Sequence, residues 1–228
     1  MTRQLPIHVI GEENQLLALY RHEGERLAVW QNSRYRWLEC NGVLQSAIER
    51  RNPERPLLPH QHELLCAAQA GGQPISRVLE LGLGAGSNLR YLHHHQPIAH
   101  YQIIERNPEV IRLFHDHFAI AGRFQILKGD AALELPRQAS DYDLLIVDIG
   151  TCLGLPPLLQ REGFWQQAVA RLRLGGRLVV NLLPANDGEL QQLLGRFNDE
   201  TGLKPTLMPL REYANVILSA SRSLTGAR

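Results

Sequence analysis

The chain is 228 residues long, enough for one α/β sheet domain with a small appended module. Its 24 Lys and Arg stand against 23 Asp and Glu, and the net charge of +1 leaves no electrostatic surplus for gripping a nucleic-acid backbone or an anionic membrane surface. With 44% hydrophobic and 21% charged residues the composition is that of a globular protein, and apolar runs such as Leu144–Val147 are far too short to span a bilayer. The opening MTRQLPIHV has no apolar export signal, and Cys40, Cys66 and Cys152 show no CxxC spacing, so a cytoplasmic protein with reduced thiols, no nucleic-acid partner and no membrane partner is expected.

In chain order, residues 1–55 read as a small antiparallel β module. Strands are expected at Leu16–Tyr20, Leu27–Gln31, Tyr35–Cys40 and Val43–Ile48, with a polar turn at His22–Glu25 and the hairpin signal Asn41-Gly42 between the last two. Beyond the proline punctuation at 51–56 a second unit, 56–228, begins with a helix over Leu57–Ala70, ended by Gly71-Gly72. Strand and helix then alternate, which predicts a mainly parallel sheet covered by helices on both faces. Strands fall at Val78–Leu81, Tyr101–Ile104, Phe124–Leu127, Leu144–Val147, Arg177–Asn181, Lys204–Met208 and Val216–Ala220. Helices fall at Ser87–His95, Pro108–Phe118, Ala131–Leu135, Phe164–Leu172, closed by Gly175-Gly176, and Gly188–Thr201. Leu153–Leu159 follows the fourth strand where a lid over an acceptor pocket would emerge, the alternative being a proline-stiffened connection, and Ser221–Arg228 reads as a frayed tail.

The sharpest local signal is Val78-Leu79-Glu80-Leu81-Gly82-Leu83-Gly84-Ala85-Gly86-Ser87, a strand entering a glycine-rich turn that opens a helix. Gly82, Gly84 and Gly86 allow positive φ and close approach of a ligand to the main chain. Glu105 closes the next strand, 23 residues after Gly82, where an acid can accept both hydroxyl hydrogens of a ribose. Gly129-Asp130 closes the third strand, where a carboxylate and nearby amides can meet an adenine edge. A dinucleotide fold needs G-x-G-x-x-G or A; this loop is G-x-G-x-G with Ser87 at the last position, which favours an adenosyl sulfonium ligand over NAD.

The segment E-L-G-x-G-x-G at 80–86 resembles the class I methyltransferase-like fold, a Rossmann-like α/β sheet. A narrower resemblance covers about residues 16–220 and points to the spermidine synthases, or polyamine aminopropyltransferases. It is carried by Asn41-Gly42-Val43-Leu44-Gln45-Ser46, by Gln61-His62-Glu63-Leu64-Leu65, by Glu105, by Gly129-Asp130, by Tyr142–Asp148 and by the terminal Tyr213–Ala220 segment. It implies strand order 3-2-1-4-5-7-6 in the large sheet, a homodimer through the N-terminal strands, and a nucleoside site built from Gln45, Glu105 and Asp130.

The amine half of that family's site is altered. The loop acid that holds the aminopropyl ammonium is replaced by Ala85, the second acid of D-x-x-D by Thr151, and the Tyr of Y-H-E by Gln61. A primary ammonium must lose its proton before attacking the donor, and a Thr hydroxyl cannot take it at neutral pH. The expected function is therefore methyl transfer from S-adenosylmethionine, used as co-substrate, to a small-molecule acceptor. Aminopropyl transfer from the decarboxylated donor and non-catalytic nucleoside binding are the alternatives. Asp148 is expected beside the reacting centre, with His62 or Cys152 as acceptor-side base or orienter. His93-His94-His95 and His115-Asp116-His117 spread around their helices, so no metal site is expected. Trp30, Trp37 and Trp165 read as core or interface aromatics.

Overall fold

The computed structural model describes residues 13–22, 24–150, 154–211 and 213–223. Four strands, β1 (Gln15–His22), β2 (Glu25–Gln31), β3 (Tyr35–Cys40) and β4 (Val43–Glu49), form an antiparallel sheet in sequence order. The turn expected over His22–Glu25 is tighter than the sequence suggested, because those two residues pair with each other and Gly24 takes a φ of 83° between them. Trp30 and Trp37 face each other across β2 and β3, and both indoles donate to Glu39.

Seven strands make the second sheet: β5 (Arg77–Leu81), β6 (His100–Glu105), β7 (Gln125–Lys128), β8 (Tyr142–Val147), β9 (Leu172–Leu182), β10 (Thr206–Pro209) and β11 (Val216–Ser221). Their order, β10-β11-β9-β8-β5-β6-β7, is the 3-2-1-4-5-7-6 order implied by resemblance, counted from β5 as strand one. The five strands from β5 to β9 run parallel, and β11 and β10 close the edge antiparallel.

Alternation along the central strands sorts side chains onto two faces. Leu144 and Ile146 join a core with α1 (Pro59–Gln69), α2 (Ser87–His95) and α3 (Pro108–Leu113), while Leu145 and Val147 join one with α4 (Ala131–Glu134), α5 (Phe164–Ala170) and α6 (Asp187–Thr201). The first core also takes in Leu27, Val29, Leu38 and Ile48 of the small sheet, so β1 to β4 share their apolar face with the helices under the glycine loop. Trp165, fully buried, meets Phe197 edge-on at 5.2 Å in the second core.

Three expectations are corrected. The helix expected over Pro108–Phe118 is α-helical only to Leu113; Phe114–Phe118 forms a π-helical turn that buries both phenylalanines, its last carbonyls taken by Arg36 and Arg90. The helix expected to run to Leu172 stops at Ala170, and Gly175-Gly176 lie inside β9. Gly175 takes a φ of 80° there, and a Cβ on Gly176 would stand 2.7 Å from the Tyr142 carbonyl oxygen, so these glycines permit a strand irregularity and do not end a helix. Of the expected lid or connection at Leu153–Leu159, Leu153 lies outside the described residues and Pro157 opens a 3-10 turn, Pro157–Gln160. Of the tail expected to fray from Ser221, Ser221 ends β11 and Arg222 exchanges backbone hydrogen bonds with Gly175 and Gly176, while residues 224–228 lie outside the described residues.

Candidate functional site

Strand β5 delivers Gly82, Gly84 and Gly86 at the carboxyl edge of the sheet with φ of 98°, 51° and 70°. Each position is crowded as well as left-handed. A Cβ on Gly82 would collide with the Asp148 carbonyl, one on Gly84 would press Ser46 at 3.2 Å, and one on Gly86 would stand 2.6 Å from the Phe114 ring. The glycines thus let β8, β4 and the π-helical turn close in on the loop.

Glu105, at the end of β6, is held from two sides. One oxygen accepts the Leu83 N–H of the loop at 3.1 Å and the other the Asn107 N–H at 2.8 Å. Each oxygen keeps a further lone pair, which suits a bidentate contact with a vicinal diol. Burial pushes the carboxyl up from its ordinary value, against the backbone N–H groups that favour the anion. Asp130 is exposed and caps α4, one oxygen accepting the Ala132 N–H at 2.8 Å. Gln45 comes from β4; its side-chain amide lies directly against Gly150, where any Cβ would strike its oxygen. The expected nucleoside residues Gln45, Gly82, Gly84, Gly86, Glu105 and Asp130 all lie on the loop, on the strand ends beside it, or on the β4 segment packed against them.

Asp148 follows β8 and is half-buried, one oxygen accepting the Asn88 amide at 3.0 Å and the other the Asn181 amide at 2.9 Å. Asn181 in turn accepts the Asn215 amide at 2.9 Å. The same Asn88 NH2 donates to Glu80 at 2.9 Å, and Glu80 takes the Tyr101 hydroxyl at 2.6 Å. Glu80 is 2% exposed, and burial pushes its carboxyl up to about 8, against the Tyr101 and Asn88 hydrogen bonds that favour the anion. Among the described residues no Lys or Arg forms an ion pair with Asp148.

The histidine expected at this centre is placed differently. His62 is exposed on α1, whereas His60, half-buried in the helix's first turn, feels the Asp148 charge. Burial lowers the His60 imidazole more than that carboxylate raises it. Gln61 is buried and accepts the Leu58 N–H at 3.3 Å, a helix-start contact. Ala85 is fully buried in the first core. Thr151, Cys152 and Leu153 lie outside the described residues.

Sequence reasoning missed His60, Glu80, Asn88, Asn181 and Asn215. The signal for two of them was legible: Glu80 and Asn181 are polar residues within strands otherwise wholly apolar around them, which marks a buried polar partner. Among the described residues no group of three His, Cys, Asp or Glu is placed to hold a metal ion. His93 instead stacks on Tyr101 at 5.7 Å and His95 tilts against Tyr91 at 4.3 Å.

No family model matches the chain. Over 183 residues it is 23% identical to a polyamine aminopropyltransferase of Chromobacterium violaceum, covering 79% of this chain and 69% of that protein. Its fold is similar to that of a probable spermidine synthase from Corynebacterium glutamicum, with a TM-score of 0.73, 21% identity, and coverage of 90% of this chain and 79% of the other. It is also similar to human methyltransferase-like protein 13 in complex with SAH, with a TM-score of 0.59, 20% identity, and coverage of 74% and 82%. Among the described residues no helix is long and apolar enough to cross a membrane.

Proposed function

The chain has the spermidine synthase-like form of the class I methyltransferase-like fold, and on that premise we propose that it is a transferase with an adenosyl sulfonium co-substrate, moving a methyl group from S-adenosylmethionine to a small acceptor. Glu105 would take the ribose diol and Asp130 the adenine edge, with Gln45 bordering the sulfonium side. The glycine loop turns with positive φ at the carboxyl edge of the sheet, where its main chain would face the ligand. The co-substrate carries the methyl group and its leaving sulfur; the chain's residues bind it, orient it and exclude water.

The observation that carries methyl over aminopropyl transfer is the charge at the reacting end. Among the described residues Asp148 is the acid placed there, because burial pushes the Glu80 carboxyl up toward its neutral form and position 85 is a buried alanine. Intact S-adenosylmethionine bears a net single positive charge, its carboxylate offsetting its ammonium, and one carboxylate balances it. The decarboxylated donor bears two positive charges and meets a second ammonium on a diamine, which one carboxylate leaves uncompensated on desolvation. The second reading, aminopropyl transfer, is favoured by the name of the curated relative and by retention of Asp148 and Gln45.

A calorimetric titration with the two donors side by side separates these readings. Tighter binding of the intact donor is expected. Tighter binding of the decarboxylated donor by the unaltered chain would overturn methyl transfer in favour of the second reading.

A further inference from the structure

At the end of the large sheet away from the glycine loop lies an open cavity of about 710 Å³, lined by β9, β10, β11 and the turn after α6. Arg177, which lines it, pairs with Leu144 near the start of β8, so the cavity sits at the amino ends of the parallel strands. Strand register places its polar side chains together. Thr206 on β10 is opposite Ser219 on β11, Ser219 is opposite Val179 on β9, and Ser221 is opposite Arg177. Residues directly opposite each other, or two apart along one strand, share a face, and Val179 assigns this face to the side that carries α1. Arg177, Thr206, Ser219 and Ser221 therefore form one block across three strands, with Lys204 at its border just before β10.

The charge in this cavity has one sign. Arg177 and Lys204 line it, no Asp or Glu does, and neither cation forms an ion pair among the described residues. Arg177 Nη1 donates to the Ala67 carbonyl of α1 at 3.3 Å, which holds the guanidinium in place while its other N–H groups make no hydrogen bond among the described residues. Ser219 follows the buried run Val216, Ile217 and Leu218 and is itself only 9% exposed, yet it lines the cavity. Its hydroxyl has no hydrogen-bond partner among the described residues, so the partner that such a group needs has to come from the cavity. Thr201, by contrast, uses its hydroxyl to close α6, donating to the Phe197 carbonyl at 2.7 Å and accepting the Leu203 N–H at 3.1 Å.

We propose that this cavity is a second binding site, which takes a phosphate group, free or carried by a small molecule, between Arg177 and Lys204 with the hydroxyls of Thr206, Ser219 and Ser221 as further donors. Two cations match a dianion. Donors spread over three neighbouring strands suit the several oxygens of a tetrahedral phosphoryl group better than the two oxygens of a planar carboxylate. The cavity's size is that of a small-molecule pocket, so it has room for more than the anion alone. None of its lining residues belongs to the proposed adenosyl site, and the inference is independent of the methyl-transfer reading.

The test is a calorimetric titration of the full chain with inorganic phosphate, glycerol 3-phosphate and acetate, in a phosphate-free buffer whose ionic strength is held constant with sodium chloride. Saturable binding of both phosphate compounds is expected, with acetate weaker by about tenfold or more. Arg177→Gln should weaken phosphate binding by about tenfold or more, and Lys204→Gln and Ser219→Ala each by about two- to fivefold. Lys204 is exposed, so its replacement reads the site without disturbing the core. Tighter binding of glycerol 3-phosphate than of phosphate would assign the occupant to a phosphorylated small molecule, and equal affinity to the free anion. Acetate binding as tightly as phosphate would overturn the phosphate assignment. No saturable binding of either phosphate compound, or affinities unchanged in Arg177→Gln and Lys204→Gln, would overturn the site itself.

Discussion

Glu80 shows how one buried acid decides the charge of its surroundings. Its folded pKa of about 8 lies above the ordinary value of 4.5, so the folded chain holds a proton that the unfolded chain releases. The stability this contributes is full below pH 4.5 and is lost as pH rises through 8, amounting to on the order of 3 kcal/mol between pH 4.5 and pH 7. Glu80→Gln mimics the protonated acid, its carbonyl turned to Asn88 and its amide to the Tyr101 oxygen. Urea denaturation should therefore show wild type losing stability relative to Glu80→Gln from pH 5 to pH 8; parallel curves would mean that Glu80 is ionised in the fold. Glu105 is also pushed up by burial, and in the proposed site it would take the ribose as its anion. Affinity for an adenosyl ligand should fall on acidification through its raised pKa, and a Glu105→Gln variant should lose that pH dependence along with most of its affinity.

At the scale of elements, the contact between β4 and the strand ends is the most exacting. Gly150→Ala would place a methyl where the Gln45 amide lies, and Gly82→Ala one where the Asp148 carbonyl lies. The first should displace a flexible side chain and cut donor affinity with little loss of stability. The second, at φ 98° against backbone, should cost about 1–3 kcal/mol or more in thermal or urea unfolding. Equal stabilities for the two variants would refute this distinction. The loop itself was legible because its glycine spacing, the strand before it and the acid after it are local features. So was the strand and helix alternation, and α2 falls at its expected Ser87–His95. What was not legible depends on distant contacts. Whether His60 or His62 turns inward is decided by the packing of α1 on the sheet, and the π-helical turn and the β9 irregularity by Arg36, Arg90 and Tyr142. No periodicity in the sequence reports such partners.

Across the whole molecule, the small sheet and the large one share a single apolar cluster, in which Val29 and Leu38 join Leu89 and Phe114. Unfolding should accordingly be one cooperative transition by both tryptophan fluorescence and circular dichroism, since Trp30 and Trp37 report on the small sheet and Trp165 on the far core. Two separated transitions would show that the sheets are energetically independent. The functional account likewise depends on the assembled edge, where loop, β4 and the ends of β6, β7 and β8 meet. There an adenosyl ligand is expected to lie with its ribose on Glu105. The direct measurement is calorimetric titration of the chain and of its Glu105→Ala variant with S-adenosylhomocysteine. The account predicts binding by the unaltered chain and a loss of about 1.5–3 kcal/mol in the variant, roughly ten- to a hundredfold or somewhat more in affinity. No binding by the unaltered chain, or equal affinity in the two, would contradict it.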